Sequence, residues 1–140
     1  MCAGPLILTT ARGDALIVCH SSTMDMVLAT RSAVFDRLLL AWNDGPEVVL
    51  DLITTDYQGH MLQLPSGERS AEQYPQWIRD YREAFPGVTF EVVDQAASGD
   101  RLWSRVRATD ADGRHAHGMN VSRFVGDRIA EEWAVWSDWL

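Results

Sequence analysis

Residues 88–139 read VTFEVVDQAASGDRLWSRVRATDADGRHAHGMNVSRFVGDRIAEEWAVWSDW. Turn-forming clusters at Ser98-Gly99-Asp100, Asp110-Ala111-Asp112-Gly113 and Gly126-Asp127 divide this stretch into segments 88–96, 101–109, 115–125 and 128–139. These segments are rich in Val, Ile, Phe and Trp, which suit a pleated, half-buried surface. Strands in series joined by tight Asp/Gly turns predict an antiparallel meander.

The chain ahead of the meander is helical in pattern. Ser22-Thr23-Met24-Asp25 supplies polar caps and an early acid. Val27, Val34, Phe35, Leu38, Leu39 and Trp42 then recur at helical spacing. Asn43-Asp44-Gly45 stops this helix, and Pro46 opens a short second one reaching Ile53. A strand is expected over residues 57–64, turned by Pro65-Ser66-Gly67. Ser70-Ala71-Glu72-Gln73 has the capping-box form, which predicts the start of a third helix there. Tyr74, Trp77, Tyr81 and Phe85 fall on one face of that helix, and Pro86-Gly87 ends it. Nearer the N-terminus, Leu6-Ile7-Leu8 and Ala15-Leu16-Ile17-Val18 flank Arg12-Gly13-Asp14, either as a hairpin or as a strand added to a sheet edge. Residues 1–21 therefore read as an extension to a domain spanning 22–140. Helices followed by an antiparallel run predict an α+β fold. A curved antiparallel sheet with three N-terminal-side helices on its concave face encloses an apolar pocket of the kind that holds small molecules.

Composition narrows the partners. The chain has 140 residues and a net charge of −8, and its twelve basic residues are all Arg, with no clustering. Nucleic acid and anionic membrane surfaces are excluded on charge. Cys2 and Cys19 are too few for a secreted disulfide framework. Arg12 and Asp14 interrupt the only apolar run near the start, so no secretion signal is read and a cytoplasmic protein is expected. Six Trp are many for a chain of this length; a structural role in the core is their default reading, and they also suit a wall that grips a ligand or partner.

Several stretches resemble the SnoaL-like polyketide cyclase family of the NTF2-like superfamily. They are Trp42-Asn43-Asp44-Gly45, Asp56-Tyr57 with His60, and residues 81–92 (YREAFPGVTFEV). The closing stretch from His117 through Gly126-Asp127-Arg128-Ile129-Ala130-Glu131-Glu132-Trp133 to Asp138 joins them. The resemblance covers residues 26–139. It implies a cone-shaped fold, a homodimer, no metal or other cofactor, and work on small organic molecules: ring closure, isomerisation, dehydration or epoxide opening. In the aldol-type cyclases of the family an Asp on the second-last strand is the acid/base, and here Asn120 stands at that position. An amide donates and accepts hydrogen bonds but carries no exchangeable proton at useful pKa.

The candidate catalytic residues are His60, Asn120, Glu132 and Tyr57. Imidazole is the side chain best matched to proton transfer near neutrality, and Tyr57 can donate to a carbonyl or enolate oxygen. Glu131 and Glu132 lie on opposite faces of the last strand, so one points inward, where a Trp-lined cavity would raise its pKa. Asp138 lies nearer the mouth. Trp42, Trp77, Tyr81, Trp103, Phe124, Trp136, His117 and Asp138 are the candidate substrate-binding residues. Strict alternation puts His117 and Asn120 on opposite faces unless a bulge at Gly118 intervenes. Arg105 and Arg107 share a face with Trp103, either solvated or presenting a cation. The spacings of zinc, calcium and phosphate-binding motifs are absent. The expected activity is a cofactor-independent cyclase or isomerase of a small apolar polyketide-like molecule, acting by substrate folding and hydrogen bonding. A non-catalytic binding or dimerisation module is the alternative from another class. An epoxide hydrolase pairing Glu132 with Asp138 ranks third.

Overall fold

The computed structural model describes residues 6–9, 15–18, 22–65 and 67–140, with side chains from residue 24 onward. Two short strands, β1 (Leu6–Thr9) and β2 (Ala15–Val18), pair antiparallel as a separate two-stranded sheet. Helix α1 (Ser22–Asp44) follows, then a single 3₁₀ turn (Pro46–Val48) and the short α2 (Val49–Leu52). Strand β3 (Ile53–Met61), β4 (Glu68–Ser70) and α3 (Tyr74–Ala84) precede the meander of β5 (Thr89–Ser98), β6 (Arg101–Thr109), β7 (His115–Val125) and β8 (Arg128–Trp136).

The six main strands form one sheet in the order β4-β3-β8-β7-β6-β5. All neighbours are antiparallel except β3 and β8, which run parallel. The expected all-antiparallel sheet is therefore a mixed one. The parallel pair arises because β3 precedes the meander and docks against its last strand rather than its first. Three register shifts bend the sheet, between Ile53 and Gln58, between Val92 and Asp94, and between Arg123 and Phe124. Such bulges increase local twist and turn a flat ladder into a cone.

The core lies between the concave face and the helices. From α1 come Phe35, Leu38 and Ala41, three residues apart, and from α3 Tyr74 and Ile78; all are buried. They meet Leu102, Val106, Ala108, Ala116 and Ile129 of the sheet. Asn43, at the end of α1, ties this layer to the edge strand. Its amide donates to the Phe90 carbonyl at 3.1 Å and accepts from the Phe90 N–H at 2.8 Å. Arg82 of α3 donates to the Trp42 carbonyl at 2.6 Å and to that of Asn43, satisfying carbonyls at the end of α1. No described helix is long and apolar enough to cross a membrane.

A candidate acid–base site in a tryptophan-lined cavity

Alternation along the strands decides what the cavity sees. Across β6, β7 and β8, Ser104 pairs with Asn120 and Asn120 with Ala134, while Ser122 pairs with Glu132. Cross-strand partners share a face, so Asn120, Ser122 and Glu132 all point to the concave side. From β3, Tyr57 joins them and is 2% exposed. From α3, Tyr74 reaches down from the opposite wall.

These side chains converge on one carboxyl. Glu132 Oε1 accepts from the Tyr57 hydroxyl at 3.0 Å and the Tyr74 hydroxyl at 3.3 Å. Its Oε2 contacts the Asn120 amide nitrogen at 3.0 Å and the Ser122 hydroxyl at 3.2 Å. Ser122 also meets Asn120 Oδ1 at 2.9 Å, and the Trp42 indole N–H donates to Tyr74 at 3.3 Å. Glu132 is 3% exposed and has no cation among its partners. Burial raises its pKa, and the phenols donating to Oε1, Tyr57 first, only partly offset that rise. Burial and the neighbouring Glu132 carboxyl also push the Tyr57 and Tyr74 phenols well up, so both remain donors.

The group opens on a cavity of about 330 Å³. Trp42, Trp77, Tyr81, Phe90 and Trp136 line its interior, and Asp138 and Trp139 lie on the tail that borders it. The rings of Trp42 and Trp77 meet edge to face at 5.2 Å, as do those of Trp42 and Phe90 at 5.5 Å. Two glycines make room for this arrangement. A Cβ on Gly59 would lie 2.6 Å from the Tyr57 hydroxyl, and one on Gly118 would lie 2.5 Å from the Trp136 indole. Among the described residues, no Arg lines the cavity. Among the described residues, no group of three or more His, Cys, Asp and Glu is arranged to hold a metal ion.

The candidate residues from the sequence divide in two. Tyr57, Asn120 and Glu132 are brought together, and Trp42, Trp77, Tyr81, Trp136 and Asp138 line the same cavity. His60 borders the cavity, but its ring is engaged elsewhere. Its Nε2 lies 2.9 Å from Glu131, and its ring stacks on Trp133 at 5.6 Å. His60 pairs with Trp133 across the parallel ladder, and Trp133 and Glu131 alternate with the inward Glu132, so this network faces outward. Glu131 is held below the usual carboxylate range, first by the hydrogen bond to His60 and then by Arg123, at 3.2 Å. A base on His60 serving Glu132's cavity is therefore not what the strand presents.

Trp103 and His117 also face outward. Trp103 lies on the outward row between Ala96 and Val121 and is 37% exposed. His117 borders a shallow outer groove with Arg105, Met119 and Val135. No bulge forms at Gly118; the shift falls later, where Ala130 is the extra residue opposite Arg123 and Phe124. Phe124 is buried under α1, beside Arg31 in a separate recess. Arg105 and Arg107 pair with Asp94 and Glu91 on the solvated face. Tyr74 and Ser122, which complete the carboxyl's surroundings, were absent from the candidates. The alternation signal was available for Ser122, which sits two residues after Asn120 and shares its face. Tyr74 belonged to the aromatic stripe of α3 but carried no mark of a polar role.

Residues 35–132 match the SnoaL-like domain. The chain belongs to the SnoaL-like family. IdmH from Streptomyces antibioticus, provisionally assigned as a polyketide cyclase, is similar at 25% identity with a TM-score of 0.66. The match covers 76% of this chain and 91% of IdmH. An NTF2-like protein of unknown function from Mesorhizobium loti aligns at 21% identity and a TM-score of 0.64, over 79% of this chain and 93% of that one. A provisionally assigned ketosteroid isomerase from Kribbella flavida aligns at 17% and 0.65, over 84% and 83% respectively. These last two show the fold. No curated protein sequence matches the chain.

Proposed function

We propose that this SnoaL-like protein is a cofactor-independent cyclase or isomerase of a small, neutral, polyketide-like carbonyl compound. One observation carries the reading: a fully buried carboxyl, Glu132, ringed by hydroxyl and amide groups and free of any cation partner, opens on an aromatic cavity. A carboxyl whose pKa is raised by burial holds a proton more readily than an exposed one and can give it up to a substrate oxygen. In a ring closure of aldol type, an enol carbon attacks a carbonyl carbon and the carbonyl π pair moves to oxygen. That oxygen takes a proton from the Glu132 centre, and the enol O–H returns one to it. Atoms and charge balance, and the product is an isomer of the substrate. Tyr57 and Tyr74 supply the hydrogen-bonding phenols beside the carboxyl, and the Trp wall folds the chain so that the reacting carbons meet. Asn120 positions the carboxyl, a task an amide performs without exchanging protons. IdmH, as a provisionally assigned polyketide cyclase, supports the same class.

The second reading, a binding module without turnover, draws on the same ring, because every polar atom of Glu132 is satisfied from within the protein. Incubating the protein with a panel of linear poly-β-ketone esters and separating products by mass spectrometry decides between them. Turnover gives a product of unchanged mass or one water lighter, and Glu132→Gln lowers its rate by about 100-fold or more. Ligand retained by the wild type with no new product identifies a binder.

A further inference from the structure

Asn120, Ser122 and Glu132 Oε2 meet in a closed triangle with sides of 3.0, 2.9 and 3.2 Å. Two sides have ordinary hydrogen-bond lengths and the third, from Ser122 to Oε2, is longer but within reach of one; a side with no hydrogen leaves its two atoms facing each other lone pair to lone pair. An ionised Glu132 brings none. The Asn120 amide turns one N–H into the triangle, and the Ser122 hydroxyl has a single hydrogen. Two hydrogens cannot fill three sides, so two oxygens would face each other lone pair to lone pair. Turning the Asn120 amide over does not change the count. Its nitrogen then faces Ser122, its oxygen faces Glu132, and one side is still empty. A proton on Oε2 fills the third side in either orientation.

The remaining surroundings fit a neutral carboxyl. Oε1 receives the hydroxyls of Tyr57 from β3 and Tyr74 from α3, and Tyr74 is itself fixed by the Trp42 indole. The groups facing Glu132 from each packed element are thus two phenols, an amide and a hydroxyl. Of the other titratable groups lining the cavity, His60 is engaged with Glu131, and Tyr81 and Asp138 bring no positive charge.

We propose that the resting site stores a proton on Glu132 Oε2, and that Ser122 is the positioning residue that holds it there. Ser122 does not line the cavity and acts through the carboxyl. The site then starts its cycle as a donor. It suits a substrate whose oxygen gains electron density, a ketone or ester carbonyl, and disfavours a substrate carboxylate, which would find no Arg among the described residues of the cavity wall. This deepens the proposed activity and rests on it for its meaning, but the proton itself is measurable without any substrate.

Infrared difference spectra of wild type against Glu132→Gln at neutral pH are the direct test. The expected result is a protonated-carboxyl stretch in the wild type that is missing from the variant. Titrating that band gives a midpoint, which Ser122→Ala should lower by about one pH unit. The substitution removes two hydrogen bonds from the neutral form and one from the ionised form, and one bond is worth about one unit. Ser122→Thr keeps the hydroxyl and should restore the midpoint. If Ser122→Ala does not fold, Ser122→Cys, with a poorer donor and acceptor, must move the midpoint the same way. A carboxylate signal for Glu132 in the wild type at neutral pH, or a midpoint indifferent to position 122, overturns the inference. Absence of turnover on every ketone ester, with the acid band present, would remove the proposed activity and leave the stored proton standing.

Discussion

At the scale of single residues, Glu132 makes stability depend on pH in a direction that can be worked out. Its carboxyl titrates above the ordinary value of 4.5 in the folded chain. Between that value and the raised one, the folded state keeps a proton that the unfolded state has lost. Stability therefore is full below the ordinary value, declines as pH rises through the window, and levels off above it. Denaturant unfolding from about pH 4 to about pH 9 should show this decline in the wild type and a flatter profile in Glu132→Gln. An equal decline in both proteins would place the titration elsewhere. Gly59 invites a second test. A methyl there would collide with the Tyr57 hydroxyl and ring. Gly59→Ala is expected to cost about 1–3 kcal/mol and to release Tyr57 from Glu132, read as a lower Tm with a shifted acid band. At this scale the sequence pointed to Tyr57, Asn120 and Glu132, which the fold brings together, and also to residues that the fold turns away, for a plain reason. Tyr57 and His60 are three residues apart, as are Trp103 and Val106, so period-two alternation sends each pair to opposite faces. Residue type favoured His60 and Trp103, but strand parity turned both outward.

At the scale of elements, the sheet is joined to the helices by a few polar clamps rather than by packing alone. Asn43 is the clearest, because its amide occupies the position a further strand would take beside β5, an edge strand. Asn43→Ala leaves both backbone groups of Phe90 without their partner. The expected loss is about 1–3 kcal/mol, with faster hydrogen exchange at the Phe90 amide than elsewhere in β5. Uniform exchange along β5 would mean the clamp is redundant. The main helices and strands of residues 22–136 were legible from hydrophobic period and turn residues; β4 (Glu68–Ser70) was not, because Glu-Arg-Ser carries no apolar pattern and the strand exists only by pairing with β3. Boundaries were less legible. Of the capping box at Ser70 only one half forms, the Ser70 N–H donating to Gln73 Oε1 at 3.0 Å while the Gln73 N–H goes to the Ser70 carbonyl, and α3 starts only at Tyr74. Ser70 is instead the last residue of β4, and a turn intervenes, because pairing with Gln58 outweighs an early helical turn. Strand β3 likewise begins at Ile53, four residues before Tyr57. Its early part is recruited by Ile129 of β8, a contact far along the chain that local pattern does not carry.

At the scale of the whole molecule, the cavity is a product of chain order. The parallel docking of β3 on β8 sets Tyr57 beside Glu132, and the helices laid across the concave face bring Trp42 and Tyr74 over them. Neither a sheet alone nor a helical layer alone would assemble the site. What borders it is the final segment of the chain. The backbone of Leu140 pairs both ways with His115, at 3.1 and 2.8 Å, and the Ser137 N–H donates to the His117 carbonyl at 2.8 Å. The segment is thereby laid along β7, and Trp139 is set against Phe85 at 5.8 Å. Trp139 and Phe85 together span the gap between this segment and α3. Trp139 is half-buried, so its loss should leave the fold largely intact while opening the cavity to water. Trp139→Ala is expected to weaken binding of an apolar ketone ester by about tenfold, some 1.4 kcal/mol, with a Tm lowered by only a few degrees. Titration of the remaining Trp fluorescence measures the first and thermal unfolding the second. An unchanged affinity would mean that ligand stays deeper, against Trp42 and Trp77, and that the tail does not close over it. A collapse of Tm would instead make Trp139 part of the core. The expected pattern, weak binding with a sound fold, is the signature of a residue that closes a chamber already built by the sheet and the helices.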